Sequence, residues 1–252
     1  MVDMRLRKVV RLIRGAKGTK VHLTVLEAGS STPTTIDIVR DTVELTASEA
    51  KMEIRDGTIP TVDGEREGRI GVIDLPSFYC DFQAKREGDE NYRSCSRDVA
   101  QLIEEAGPDT LDGIVLDLRS NGGGALEEAV KLTGLFIDRG PVVQVRDHRG
   151  RIRKRVDNDG AVLYGGPLVV LVDKLSASAS EIVAAALQDH HRAVIVGEES
   201  THGKGTVQTV YALDRLLHRT NLFDGEQAGS LKFTIQKFYR VDGGSTQVSG
   251  VR

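Results

Sequence analysis

GPLVVLVDKLSASASEIVAAALQDH, residues 166–190, joins two periodicities through a short polar turn. Leu168 to Val172 is an unbroken apolar run of strand length, and the alanine-rich stretch after Ser178 is long enough for a helix. A strand that feeds a helix is half of a βα unit, and the same order recurs on both sides. GRIGVIDL (68–75) precedes the helical RDVAQLIEEAG (97–107), DGIVLDL (112–118) precedes GALEEAVKLTGLFI (124–137), and RAVIVG (192–197) follows the alanine-rich helix. This succession predicts an α/β domain with a mixed, largely parallel sheet, to which SLKFTIQKFYRV (230–241) adds a further strand. Ahead of it, Leu6, Val9, Val10 and Ile13 recur at helical spacing, and Val21, Leu23 and Val25 alternate as a strand. After the polar turn GSSTPTT, TTIDIVR reads as the next strand; the opening helix and strand read as part of a small domain.

With 252 residues, 39% of them apolar, and a formal charge of −3, the chain has material for a sizeable core and no charge imbalance that points to nucleic acid. It has no apolar run of about 18 residues, so no integral membrane segment is expected. The opening MVDMRLRKVVRLIRG is charged and amphipathic and lacks the apolar centre of a signal peptide. Cys80 and Cys95 match no metal spacing and the six histidines contain no HExxH pair, so free thiols, no metal and no cofactor are expected.

Chemistry in such sheets gathers where strand ends meet helix starts, and three junctions stand out. DLRSNGGGALEEA (117–129) passes through three glycines, which suit either a flexible connector or a turn whose N–H groups face a negative charge. Ser178 and Glu181 fit the S-x-x-E capping box, yet a nucleophile at Ser178 would gain from the unpaired N–H groups of the first helical turn. Position permits both roles. GEESTHGKGTVQTV (197–210) imitates a phosphate loop, but its spacing is one residue too long, Gly205 follows the lysine, and TVQTV alternates like a strand. Lys204 is then a lysine in a glycine turn, a solvated surface residue or something more, with Lys204, Thr206 and Gln208 on one strand face.

Taken together, the three junctions permit catalysis without histidine. A lysine kept neutral by burial can accept the proton of a neighbouring serine, and the glycine turn with the N–H of Ala179 can hold the oxyanion that forms on the attacked carbonyl.

The combination of DLRSNGGGAL, KLSASASEI, VGEESTHGKGTVQ and KFYRVDGGSTQVSGV resembles the carboxyl-terminal processing peptidases, peptidase family S41, and most of all their tail-specific branch. The resemblance covers nearly the whole chain. It implies a ClpP/crotonase-like protease core over residues 41–252, preceded over 1–40 by the C-terminal part of a PDZ-like domain whose groove strand would lie ahead of Met1. It implies a serine endopeptidase in which Ser178 is the nucleophile, Lys204 the general base, Gln208 the residue that orients the lysine, and Gly123, Gly124 and Ala179 the oxyanion hole. Asp189 matches a position often given as a third catalytic member. The helix, however, sets it eleven residues beyond Ser178, about 16 Å along the axis, so it is a stabiliser of the catalytic region or a plain surface residue of the QDHH turn. GEESTHGK carries one residue more than the family spacing. The partners implied are proteins with apolar C-terminal tails, with room for an adaptor protein. The implied location is the periplasm of a Gram-negative bacterium, with any targeting segment outside this chain. Two competitors are a non-catalytic ligand-binding member of the same fold and a crotonase-like acyl-CoA enzyme, and the latter has no use for a paired serine and lysine.

Overall fold

The computed structural model describes residues 4, 6–26, 29, 32–41, 49–213 and 229–252. Chain contacts divide it into two compact units, residues 1–47 and 48–252. In the first, helix α1 (Leu6–Ile13) precedes the antiparallel pair β1 (Lys20–Val25) and β2 (Thr34–Val39). The Arg40 guanidinium joins them, donating to the Ile13 carbonyl at 2.7 Å and to Thr19 Oγ1 at 2.9 Å.

The second unit is built on a five-stranded sheet in the order β3-β4-β5-β8-β9. Its strands are β3 (Lys51–Thr61), β4 (Gly64–Asp74), β5 (Gly113–Asp117), β8 (Leu168–Val172) and β9 (Val194–Gly197). The last four run parallel and β3 pairs antiparallel with β4; the central β5 and β8 are the apolar, largely buried runs expected of strands covered on both faces. Between these strands lie helices α2 (Phe82–Glu87), α3 (Cys95–Ala106), α4 (Leu126–Gly134) and α5 (Ala179–Asp189). Ile73, Leu116 and Val170 from the sheet and Ile103, Leu132, Val183 and Leu187 from the helices are fully or almost fully buried in one core. Helix α5 is buried all round, and its run Ala184–Ala186 offers side chains small enough for α4 and β9 to approach it.

A second sheet departs from the single largely parallel sheet expected. It is antiparallel throughout, in the order β10-β11-β6-β7, with β6 (Gly140–Asp147), β7 (Ile152–Asp157), β10 (Thr206–Ala212) and β11 (Ser230–Tyr239). The hairpins β3–β4 and β6–β7 were not visible in the sequence, because charges interrupt the apolar residues of β3 and β7, and β7 is exposed over Ile152–Val156. The apolar β9 is an edge strand with Val194 63% exposed.

Register fixes where the site falls. Asp74 pairs with Asp117, Asp117 with Leu171, and Leu171 with Val196, so β4, β5, β8 and β9 all end at one edge of the sheet. The loops that leave this edge carry the three unusual junctions.

Candidate active site

Ser178 caps α5 at φ +59°, a left-handed value that is strained for a residue with a Cβ, and forms the capping box with Glu181. A hydroxyl that accepts from the helix still carries a proton to give, so the cap and a nucleophilic role are compatible. Its neighbours are engaged in the scaffold: Ser176 Oγ donates to the Leu118 carbonyl at 2.8 Å and Ser180 Oγ to the Asn121 carbonyl at 2.8 Å.

The glycine turn lies against Ser178. A Cβ built on Gly123 would stand 2.8 Å from Ser178 Cβ and 2.9 Å from the Ala179 nitrogen, a closeness that only glycine at φ +96° allows. Asn121, fully buried, holds the turn by donating from Nδ2 to the Leu75 carbonyl at 2.7 Å and accepting the Gly123 N–H on Oδ1 at 2.9 Å. The Gly123 N–H is thereby occupied, whereas those of Gly124 and Ala179 have no acceptor among the described residues.

The central element is Glu181, fully buried at the start of α5. Its Oε2 accepts the backbone N–H of Ser178 at 2.8 Å and of Lys204 at 3.0 Å, while Oε1 accepts Thr201 Oγ1 and the Gly203 N–H, each at 2.7 Å. One carboxylate thus pins the serine and the lysine loops to a common point. The spacing of Ser178 and Glu181 revealed the cap, but its other partners lie 20 or more residues downstream, beyond the reach of a local pattern.

The lysine loop is clamped from its other side by the segment 246–251. Gly205 N–H donates to Gln247 Oε1 at 2.9 Å, Thr246 Oγ1 to the Lys204 carbonyl at 3.1 Å, and Val248 N–H to the Gly203 carbonyl at 2.8 Å. Lys204 and Gln208 do line one cleft, but not by strand alternation. Strand β10 begins only at Thr206, beyond Lys204; Val207 and Gln208 border the cleft, and β11 carries one extra residue, Ile235, between their partners. Among the described residues Lys204 Nζ makes no salt bridge and no hydrogen bond to Ser178.

These residues line a cleft of about 680 Å³. Ser178, Ala179, Gly123, Gly124, Lys204 and Gln208 share it with Phe78, Phe82, Leu126, Ile182 and Phe238, and Lys232 stands on its wall. Cys80 also borders it; both cysteines are free thiols, and burial, then the nearby Glu128, pushes the Cys95 thiol up. No group of metal-binding side chains exists among the described residues.

Asp189 lies outside this cleft. It is 12% exposed, pairs with Arg240 through Oδ1, and accepts the Val241 N–H on Oδ2 at 3.3 Å, joining the end of α5 to the end of β11. Asp189→Asn is expected to lower stability by roughly 2–3 kcal/mol, because Arg240 is left without its charge partner. Thermal unfolding checks the stability, and kcat at a temperature where the variant is folded should stay within about threefold of the original.

Residues 69–252 match the model of peptidase family S41. The chain is 43% identical over its full length to a tail-specific protease of Haemophilus influenzae, covering 32% of that protein. It is 33% identical to a carboxy-terminal-processing protease of Bartonella bacilliformis, with 98% of the chain matched to 49% of that protein. It therefore spans between about a third and half of the length of these relatives. Among solved structures, the photosystem II D1 C-terminal processing protease superposes with a TM-score of 0.64 at 27% identity, covering 98% of this chain and 58% of that one. With the family model matched over most of its length, the chain belongs to peptidase family S41.

Proposed function

We propose that this chain is the catalytic part of a serine endopeptidase that cuts peptide bonds in proteins recognised by their C-terminal tails. The observation that carries the reading is the shared carboxylate of Glu181, which holds the amides of Ser178 and Lys204 side by side on the wall of an apolar cleft. Ser178 Oγ attacks the peptide carbonyl carbon while Lys204 Nζ takes its proton, and the carbonyl oxygen becomes an oxyanion held by the N–H groups of Ala179 and Gly124. Gly123 contributes the absence of a side chain, which lets the carbonyl approach. Lys204 then gives its proton to the leaving amine, the C–N bond breaks, and an ester on Ser178 remains. Water, deprotonated by Lys204, hydrolyses the ester and restores the serine. Gln208 orients the lysine.

The apolar cleft wall suits apolar substrate residues, and residues 1–40 are read as the C-terminal part of a PDZ-like domain that would present the tail. The Gram-negative source of the tail-specific relative supports a periplasmic location. An adaptor protein that delivers substrates is compatible with this scheme.

A lysine base works only as the free amine, so hydrolysis of an apolar-ended peptide should rise with pH to a plateau. Diethylpyrocarbonate, which modifies histidines, should leave the profile unchanged. A profile abolished by that reagent would transfer the base to His190, His191 or His202 and overturn the dyad.

A further inference from the structure

Asp173, the first residue after β8, bonds two loops that lie far apart in sequence. Its Oδ1 accepts the N–H of Leu175 and of Ser176, each at 2.9 Å, and so shapes the turn that leads to Ser178. The N–H of Ser120, 53 residues away, donates to both carboxylate oxygens at 2.9 Å, and Ser120 Oγ reaches Oδ2 at 3.3 Å. Ser120 sits at φ +59°, a conformation a serine adopts only when something holds it there. Two residues further along, the chain enters the Gly122–Gly124 turn, where Gly123 presses on Ser178 and Ala179. Burial disfavours the charged form of Asp173. The N–H groups of Ser120, Leu175 and Ser176 and the Ser176 hydroxyl outweigh it, holding the carboxyl below its usual range.

We propose that Asp173 is a positioning residue for hydrolysis, a clamp that fixes the glycine turn against the helix start so that the oxyanion donors on the two loops keep their spacing. The inference rests on the Ser178/Lys204 reading and adds to it a residue that touches neither the substrate nor the reacting atoms. Its two oxygens differ in their tasks: Oδ1 builds the nucleophile turn and shares the Ser120 N–H, while Oδ2 holds that N–H and the Ser120 hydroxyl.

Asp173→Asn exploits that division. The side-chain oxygen stays with Leu175 and Ser176, which are both donors, and the amide nitrogen then faces the Ser120 N–H and hydroxyl, where it cannot accept. The local turn survives, while the Ser120 N–H keeps Oδ1 and meets a second donor where Oδ2 stood, so the link between the loops is weakened and displaced. For this 252-residue chain acting on an apolar-ended peptide, kcat should fall on the order of 10- to 100-fold, since a small misplacement of an oxyanion donor has effects of that size. KM should stay within about threefold and the melting temperature within about 3 °C, while Asp173→Ala, which loses both oxygens, falls further in both kcat and stability.

A peptide aldehyde supplies the readout that a purely structural role would not move. Ser178 Oγ adds to its carbonyl carbon, the serine proton passes to Lys204, and the former carbonyl oxygen takes the place of the oxyanion. Its affinity should weaken in Asp173→Asn by the same factor as kcat/KM, while the affinity of an uncleaved peptide for the Asp173→Asn/Ser178→Ala double variant stays at that of Ser178→Ala. Asp173→Asn with kcat within threefold of the original, or with reduced kcat and undiminished aldehyde affinity, overturns the clamp. If Ser178→Ala itself retains the original rate, the reading of the active site fails whatever Asp173 does; if Ser178→Ala is inactive and Asp173→Asn is fully active, only the clamp fails.

Discussion

Ser178→Ala is expected to abolish peptide hydrolysis, by at least about 10³-fold, while the protein stays folded. The two halves of that expectation have separate physical grounds. Activity is lost because the neighbouring serines cannot take its place: Ser176 and Ser180 are fully buried and already bonded to backbone carbonyls. Folding persists because removing a serine cap costs only about 1 kcal/mol, or roughly 2–4 °C in melting temperature for a domain of this size. The bond from the residue 178 amide to Glu181 Oε2 does not involve the hydroxyl and remains. Product formation followed by mass spectrometry, beside a thermal melt, measures both halves. Hydrolysis at more than about a hundredth of the original rate would move the nucleophile elsewhere.

The second large effect is expected at Glu181. All four of its partners are donors, two on each oxygen, so Glu181→Gln turns an amide NH₂ toward two of them and leaves them unsatisfied inside the protein. Each unsatisfied donor costs about 1–3 kcal/mol, and relaxation separates the serine loop from the lysine loop. Because a displacement near 1 Å of a reacting group costs about 10²-fold in rate, kcat should fall by that order even where the variant is fully folded. Thr201→Val, which removes a hydroxyl donor from Oε1 and leaves the Ser178 and Lys204 amides bonded, should lose far less activity. Equal losses in the two variants would mean that Glu181 acts through general stability and not by holding the two loops together.

What the sequence revealed and what it hid divide along the range of the interactions. The βα junctions were legible because a change from a strand-length apolar run to a helical pattern is a local signal, and Leu168–Val172 followed by Ala179–Asp189 appears where the residues put it. Three junctions at one edge of a sheet follow from parallel register, so the meeting of Gly123, Ser178 and Lys204 on one cleft could be anticipated from topology. Asn121, Asp173 and the outer partners of Glu181 could not, since each acts on residues 20 to 60 positions away and looks locally like an ordinary turn or cap residue. The register shift between β10 and β11 was hidden for a related reason: a bulge is a property of two paired strands, and Thr206–Gln208 alone gives no sign of it. Strands β3 and β7, whose apolar residues are interrupted by charges, lack the apolar runs by which the other strands announce themselves.

In the proposed mechanism a lysine, and no histidine, takes the proton from Ser178. This step is tested most directly by the steady-state hydrolysis of one apolar-ended peptide by the chain and by its Lys204→Ala variant, at the pH of the plateau and with folding verified by melting. Lys204 makes its scaffold contacts through its backbone, by the N–H on Glu181 and the carbonyl with Thr246, so truncating the side chain removes the amine and leaves the loop in place. A fall of about 10²-fold or more in kcat with KM little changed is expected. Retention of more than about a tenth of the original rate would contradict that step.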